Sequence, residues 1–225
     1  MTHPLDNPVW SSLTTGHREL ARGEGLARRY PSDISPLSAL REPTEAAFAD
    51  LRALTAPGEI VGLVCAFPVE VPGDWEIVLA RMIDQMVCED FRPAALIEPV
   101  ELSSRDVPEM IALTKLTEPG PFEHGTIGMG RYIGIRAADG TLAAMAGKRM
   151  SLTDFREISA VCTHPDHRGK GYAGRLMSVL AREIVAQGRN PFLHVKTENA
   201  SAKHLYDRLG FRVRRETHFT VLRPR

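Results

Sequence analysis

The stretch HPDHRGKGYAGRLM, residues 164–177, contains the pattern that decides the fold. Its glycines Gly169, Gly171 and Gly174 spell G-x-G-x-x-G between a strand-like segment and a helix-like segment. Glycine lets the backbone approach a ligand closely, and the first N–H groups of a helix have no partner within that helix. The stretch therefore predicts a phosphate-binding loop, although the glycines alone do not identify the phosphate compound.

The segments around this loop predict a mixed α/β sheet. FREISAVCT (155–163) has the composition of a strand, and NPFLHVK (190–196) predicts a second strand after the helix. Helical spacing relates Ala173, Leu176, Met177, Leu180 and Ile184, which form one apolar stripe. Strict alternation along residues 155–163 places Glu157, Val161 and Thr163 on the same face of the first strand.

In the rest of the chain, the secondary-structure patterns are weaker in the first part and clearer in the second. The Pro-containing segment EDFRPA suggests a boundary, with an α/β lobe at 1–93 and a second domain at 94–225. In the first part we expect a helix at 43–54, a strand at 59–67 and one or two strands at 75–88. In the second part we expect a strand at 96–102, a helix at 104–116, a hairpin at 131–150 and a strand or hairpin at 211–222.

Composition narrows the functional class. Lys plus Arg and Asp plus Glu number 28 each, so the chain lacks the basic excess of a typical nucleic-acid binder. No apolar run approaches the roughly 20 residues that span a bilayer, and the first residues do not resemble a secretory signal. The three scattered cysteines fit reduced thiols. We therefore expect a cytoplasmic protein that binds neither nucleic acid nor a membrane.

Three features argue against a nicotinamide cofactor in the glycine loop. The segment HPDHR separates the strand from Gly169, whereas a Rossmann strand runs almost directly into its first glycine. Arg168 and Lys170 add cationic groups to the loop, which suits a larger phosphate charge. Few residues follow Gly174, too few to complete a doubly wound sheet.

Read from Arg168, the loop is R-x-x-G-x-A, which resembles the pyrophosphate loop of the GNAT N-acetyltransferase superfamily. Downstream, NASAKHLYDRLGF (199–211) is similar to that family's N-x-x-A-x-x-L-Y-x-x-x-G-F helix. Two motifs in the right order make the resemblance specific, and it extends from about residue 96 to the end. The first part, with GHREL and ARRYP (16–30), resembles a bacterial subgroup related to glycine N-acyltransferases.

The resemblance implies acetyl-CoA as the donor and an amine as the acceptor, with direct transfer in a ternary complex. The pyrophosphate of acetyl-CoA would lie on the loop residues Arg168, Gly169, Lys170, Gly171, Tyr172, Ala173 and Gly174. The strand edge at Val161, Cys162 and Thr163 would bind the pantetheine arm and polarise the thioester carbonyl. Asn199 and Ala202 would contact the cofactor from the other side.

The resemblance also implies two catalytic residues. Tyr206 occupies the position of the family's tyrosine proton donor to the leaving thiolate, although it could also be a core residue of its helix. Glu157 matches a glutamate that is the general base in some members, and a water chain is the alternative. His164 and His167 have side chains that suit a metal, but no second pair has matching spacing, so we predict no metal site.

The acceptor and the assembly are less defined by the sequence. The expected acceptor is a small amine or amino acid, bound by the segment TEPGPFEHGTIG (117–128) and the last strands. Residues 1–93 could form a lid, a second lobe or the surface of a homodimer. A rival hypothesis is an acyl-CoA-binding sensor or regulatory protein without catalysis.

Overall fold

The computed structural model describes residues 3–95 and 97–225. Its helices are α1 (Pro8–Thr14), α2 (Glu45–Ala53), α3 (Val107–Thr117), α4 (Tyr172–Ala186) and α5 (Ala200–Arg208). Its strands are β1 (Ala27–Arg29), β2 (Leu37–Leu40), β3 (Val61–Cys65), β4 (Trp75–Cys88), β5 (Val100–Leu102), β6 (Tyr132–Arg136), β7 (Leu142–Ser151), β8 (Phe155–Thr163), β9 (Asn190–Lys196) and β10 (Phe211–Pro224). All ten strands form one sheet in the order β1-β2-β3-β10-β4-β9-β8-β7-β6-β5.

Helix α4 confirms the strongest pattern in the sequence. Its stripe packs on the sheet, where Leu176, Met177, Leu180 and Ile184 are fully buried. Burying each such side chain contributes roughly 1.5–3 kcal/mol, so the stripe fixes the helix against β7 and β8. The helix starts after Gly171 and ends before Gly188, and both glycines have positive φ angles that other residues rarely adopt.

The opposite face of the sheet is covered by elements from both parts of the chain. Leu5, Val9 and Leu13 from the N-terminal segment pack against Ile83 and Phe192. Helix α3 covers the β6–β8 region of this face. Helix α2 packs on the other face, against Val61 and Leu63 of β3 and the end of β10, whereas Val64 of β3 faces the α1 cluster. The sheet is therefore buried on both faces around β8 and β9, where the predicted site lies.

Strand β4 joins the two predicted domains into one sheet. It lies before the expected boundary at 93/94, yet it pairs with β10 on one side and with β9 on the other. The division into residues 1–93 and 94–225 stays a prediction, and strands on its two sides pair at β3–β10, β4–β10 and β4–β9.

Most predicted elements are present, and one strand is much shorter than expected. The helices expected at 43–54 and 104–116 and the hairpin around Asp139 and Gly140 are confirmed. The strand expected at 96–102 covers only Val100–Leu102, and Leu96 lies outside the described residues. Residues 75–88 and 211–224 each form one long strand. No helix in the described ranges has both the length and the apolar composition to cross a membrane.

A buried polar cluster ties the N-terminal segment to the sheet. The Tyr30 hydroxyl lies 2.8 Å from Ser12 Oγ and 3.0 Å from His17 Nδ1. Ser12 Oγ also donates to the carbonyl of Ser151 at the end of β7. Burial, together with the charge of Arg156, lowers the pKa of His17 to about 4.

This pKa predicts a loss of stability in mild acid. The unfolded chain binds a proton on His17 near pH 6.5, whereas the folded protein does so only near pH 4. The stabilisation is complete above pH 6.5 and is lost as the pH falls towards 4, by about 3 kcal/mol. Urea unfolding of the wild type and of His17→Gln between pH 7 and 4.5 measures this. Equal pH slopes for the two proteins would contradict the assignment.

Candidate functional site

The parallel strands β8 and β9 separate along their length. They pair at Phe155↔Asn190, Arg156↔Pro191 and Glu157↔Phe192, and this ladder goes no further within the described residues. Strand β8 nevertheless continues to Thr163 and β9 to Lys196. The two strands therefore form a V that is closed at Glu157 and opens towards the glycine loop.

A bulge interrupts β8 inside the V. The pairing with β7 changes register between Gly147↔Ser159 and Met145↔Cys162, and Ala160 has a φ of 52°. The extra residue reverses the alternation, so Val161 packs with Ile158 on the α4 side while Cys162 packs on the α3 side. The prediction that Glu157, Val161 and Thr163 share a face is wrong for this reason, because regular alternation cannot anticipate a bulge.

The glycine loop connects the open end of the V to α4. Residues 168–171 are exposed, and a side chain added at Gly169 would meet nothing within 4 Å. Gly171 precedes the helix with a φ of 74° and has no side chain to cap it. The first amides of α4 therefore face outward without a side-chain hydrogen-bond partner. Lys170 Nζ lies 3.0 Å from His167 Nδ1. The predicted residues Arg168 to Gly174 thus surround one exposed helix N-terminus, which is suited to an anion.

Helix α5 borders the same opening. Gly174 is buried, and a Cβ there would lie 3.1 Å from Leu205, so the missing side chain lets α4 and α5 approach closely. Asn199 caps α5 by accepting a hydrogen bond from the amide of Ala202 at 3.1 Å. Both predicted residues therefore lie at the end of α5 that follows β9.

Tyr206 lies on the buried side of α5. Its ring is tilted against Phe211, with 6.3 Å between the centroids. Burial raises the pKa of the Tyr206 hydroxyl to about 12, and Cys162 on β8 adds to the shift. Burial likewise raises the pKa of the Cys162 thiol to about 11. The structure therefore brings Tyr206 near the β8 edge inside the V, and both groups are protonated at neutral pH.

Glu157 lies at the closed end of the V in a fully paired environment. Its carboxylate accepts hydrogen bonds from Arg149 Nε at 2.7 Å and Arg149 Nη2 at 2.8 Å. His194 Nδ1 lies 2.9 Å from the same carboxylate. Burial alone would raise the pKa of Glu157, but the charge and hydrogen bonds of Arg149, with His194, lower it to about 2. Such a carboxylate is a weak proton acceptor, which argues against its predicted role as the general base.

The ion pair of Glu157 and Arg149 belongs to a longer chain of hydrogen-bonded side chains that crosses the sheet. Gln85 Nε2 lies 3.2 Å from His194 Nε2 and donates to the carbonyl of Leu5 at 2.8 Å. Arg214 donates to Gln85 Oε1 at 2.9 Å and to Asp6 at 2.7 Å. Because the Gln85 amide nitrogen can only donate, His194 Nε2 accepts, and the ring proton is on Nδ1, facing Glu157. The chain connects the N-terminal segment to the closed end of the V.

Sequence reasoning missed the other members of this chain. Arg149, Gln85 and His194 lie on three different strands, and each alone has the pattern of an ordinary strand residue. Both ring nitrogens of His194 have a partner, Gln85 at Nε2 and Glu157 at Nδ1. Only the register of β4, β9, β8 and β7 brings Arg149 and His194 to Glu157 and Gln85 to His194, and no local spacing signals that register.

Comparison with known proteins identifies the family to which this fold belongs. A family model described as FR47-like protein matches residues 132–220, from β6 into β10. A crystal structure from Novosphingobium aromaticivorans DSM 12444, assigned to the GNAT acetyltransferase family, is 38% identical, covers 100% of both chains and has a TM-score of 0.91. No curated protein matches the chain significantly.

More distant structures share the fold. A GCN5-related N-acetyltransferase from Kribbella flavida is 15% identical, with 96% of this chain and 94% of that one aligned at a TM-score of 0.63. A GCN5-related N-acetyltransferase-like protein from Streptococcus suis 89/1591 is 16% identical, with coverage of 84% and 78% and a TM-score of 0.53. The fold is that of the GNAT acetyltransferases. The identity over the full length of the first structure shows that the chain belongs to the GNAT family.

Proposed function

We propose that this protein transfers an acetyl group from acetyl-CoA to a small primary amine, in a ternary complex and without a covalent enzyme intermediate. The observation that carries the proposal is the path from the exposed glycine loop, along the edge of β8 that lacks pairing with β9, to Tyr206, which packs in the same apolar cluster as Val161 of that edge. A cofactor with a diphosphate at one end and a thioester at the other fits such a path.

The residues along the path suit the parts of coenzyme A. The outward amides of α4 and the cationic groups of Arg168 and Lys170 would bind the diphosphate. The edge of β8 from Val161 to Thr163, which lacks pairing with β9, would bind the peptide-like pantetheine arm. Asn199 and Ala202 would contact the arm from the start of α5.

The bulge at Ala160 supports activation of the thioester. A bulge withdraws a backbone amide from the ladder with β7, and such an amide can donate to the thioester carbonyl. The oxygen gains negative charge as the amine attacks, so the hydrogen bond strengthens in the transition state. The amine nitrogen then bonds to the carbonyl carbon, and the carbon–sulfur bond breaks.

Proton balance requires an acceptor for the amine protons. An alkylammonium releases one proton before attack and a second on forming the amide, and the thiolate gains one, so one proton leaves overall. Because Glu157 already accepts from Arg149 and His194, we assign the amine protons to water within the cleft rather than to Glu157. Tyr206 would donate a hydrogen bond to the thiolate.

The other predictions made from the sequence complement this proposal. We infer a cytoplasmic enzyme, a homodimer as an allowed assembly, and a relation of residues 1–93 to the glycine N-acyltransferase-like subgroup. The rival function is a sensor that binds acyl-CoA without turnover, and turnover alone separates the two hypotheses.

Two measurements test the proposed function in sequence. Coenzyme A at a hundredfold excess over its Kd should stabilise the fold by about 2.7 kcal/mol, which thermal unfolding detects. Thiol release from acetyl-CoA is then measured with a panel of small amines and amino acids. Stabilisation without thiol release would favour the sensor, and the absence of stabilisation would reject both hypotheses.

The glycine loop gives a further prediction. Lys170→Gln should raise the Kd of coenzyme A roughly 2–5-fold, because an exposed charge near a helix N-terminus contributes about 0.3–1 kcal/mol. The effect should shrink in high salt. Arg182→Gln removes an exposed charge farther along α4 and is the control. Equal effects of the two variants in calorimetry would place the diphosphate elsewhere.

A further inference from the structure

Tyr132, a residue that the sequence analysis did not single out, crosses the sheet towards the closed end of the V. It begins β6 and pairs with Gly147 on β7. A Cβ at Gly147 would lie 2.1–2.6 Å from atoms of the Tyr132 ring, so the ring lies directly over this glycine. Any larger residue at position 147 would exclude the ring from this place.

The ring points from β6 towards β8. Neighbouring strands are about 4.8 Å apart, so a tyrosine that passes over β7 carries its hydroxyl towards the next strand. Gly147 pairs there with Ser159, which immediately precedes the bulge at Ala160. Tyr132 shares its apolar cluster with Ala160 and Cys162, and the charges of Arg149 and Glu157 both act on its hydroxyl.

The Tyr132 hydroxyl is buried without a hydrogen-bond partner among residues 3–95 and 97–225. The side chain is 1% exposed, and burial raises the pKa of its hydroxyl. Tyr30 is equally buried, yet its hydroxyl bonds to Ser12 and His17. An unpaired buried hydroxyl is costly, so its retention beside the reactive strand calls for a partner outside the chain.

We propose that the Tyr132 hydroxyl binds the attacking nitrogen of the acceptor amine at the closed end of the V. The inference rests on the proposed function and adds a specific contact to it. The phenol oxygen accepts a hydrogen bond from an N–H of the amine, which leaves the nitrogen lone pair free to face the thioester carbon. No covalent change occurs at Tyr132.

The surroundings of Tyr132 favour an amine over an anion. The phenol remains protonated because burial raises its pKa, so it offers a neutral oxygen. Arg149 is already neutralised by Glu157 and is not available to attract an anionic ligand. The carboxylate of Glu157 has its nearest donors in place, so the only unpaired oxygen of this cluster in the described chain is the phenol of Tyr132.

Tyr132→Phe and Tyr30→Phe form a matched pair for the test, because each removes one oxygen from a fully buried tyrosine. For Tyr132→Phe we expect an unchanged or raised Tm, an unchanged Kd for coenzyme A, and a fall of about tenfold in kcat/KM for the best amine of the panel. For Tyr30→Phe we expect a Tm lower by about 2–4 °C and an unchanged kcat/KM.

Three outcomes would overturn the inference. A Tm of Tyr132→Phe lowered as much as that of Tyr30→Phe would show that the hydroxyl is bonded within the folded protein, for instance through a bound water. An unchanged kcat/KM with an active wild type would remove Tyr132 from the acceptor site while leaving the proposed function intact. A wild type that acetylates no amine would end both proposals.

Discussion

Tyr206→Phe is expected to lower kcat at least tenfold while the Kd of coenzyme A stays unchanged. The thiolate that leaves has a pKa near 8.5, so its negative charge needs a hydrogen bond in the transition state. Because the pKa of Tyr206 is about 12, full transfer of its proton to the thiolate would cost roughly 5 kcal/mol. We therefore expect Tyr206 to stabilise the thiolate mainly by a hydrogen bond, which the phenylalanine cannot make.

Single-turnover thiol release with saturating amine measures this effect, and calorimetry measures coenzyme A binding. The ring of Tyr206 packs against Phe211, and phenylalanine keeps that packing, so the fold should be preserved. Tyr30→Phe, outside the V, is the control for loss of a phenol oxygen. Turnover at the wild-type rate in Tyr206→Phe would assign the tyrosine to the core alone.

Arg149→Met is expected to cause the largest loss of stability. It leaves the Glu157 carboxylate, which is 0% exposed, without its guanidinium partner. Breaking one side of a buried ion pair costs about 3–5 kcal/mol, and in a chain of this size each kcal/mol lowers Tm by about 2–4 °C. Urea or thermal unfolding would show a fall on the order of 10 °C.

The double variant Arg149→Met/Glu157→Leu provides the control. Replacing both partners by apolar residues of similar size removes the unpaired charge, so we expect most of the stability to return. Double and single variants with equal losses would mean that packing volume, and not the ion pair, determines the effect. The double variant also removes the carboxylate partner of His194. Thiol release is therefore measured on it as well as stability.

The sequence predicted those parts of the site that follow local rules. The stripe of α4 and the glycines of the loop depend on residues within a few positions of one another, and each lies where the sequence predicts it. Cys162 lies on β8 and Tyr206 on α5, and the connection through α4 and β9 places the two side chains near each other.

The remaining features depend on contacts between distant strands. The bulge at Ala160 is a non-glycine residue at φ 52°, and nothing in ISAVCT distinguishes it from a regular strand. The pairing of Glu157 with Arg149 follows from a second register change in β7. The partnership of Gly147 and Tyr132 depends on hairpin register and on a missing Cβ, which the sequence shows only as one more glycine.

The place of β4 between β9 and β10 has a consequence for biosynthesis. Strand β4 ends at Cys88, whereas β9 begins at Asn190 and β10 at Phe211, so the ribosome releases β4 long before either neighbour exists. Such long-range pairing slows folding and leaves apolar strand surface uncovered in the meantime. Both edges of β4 therefore lack their native partner strands until the end of the chain has been translated.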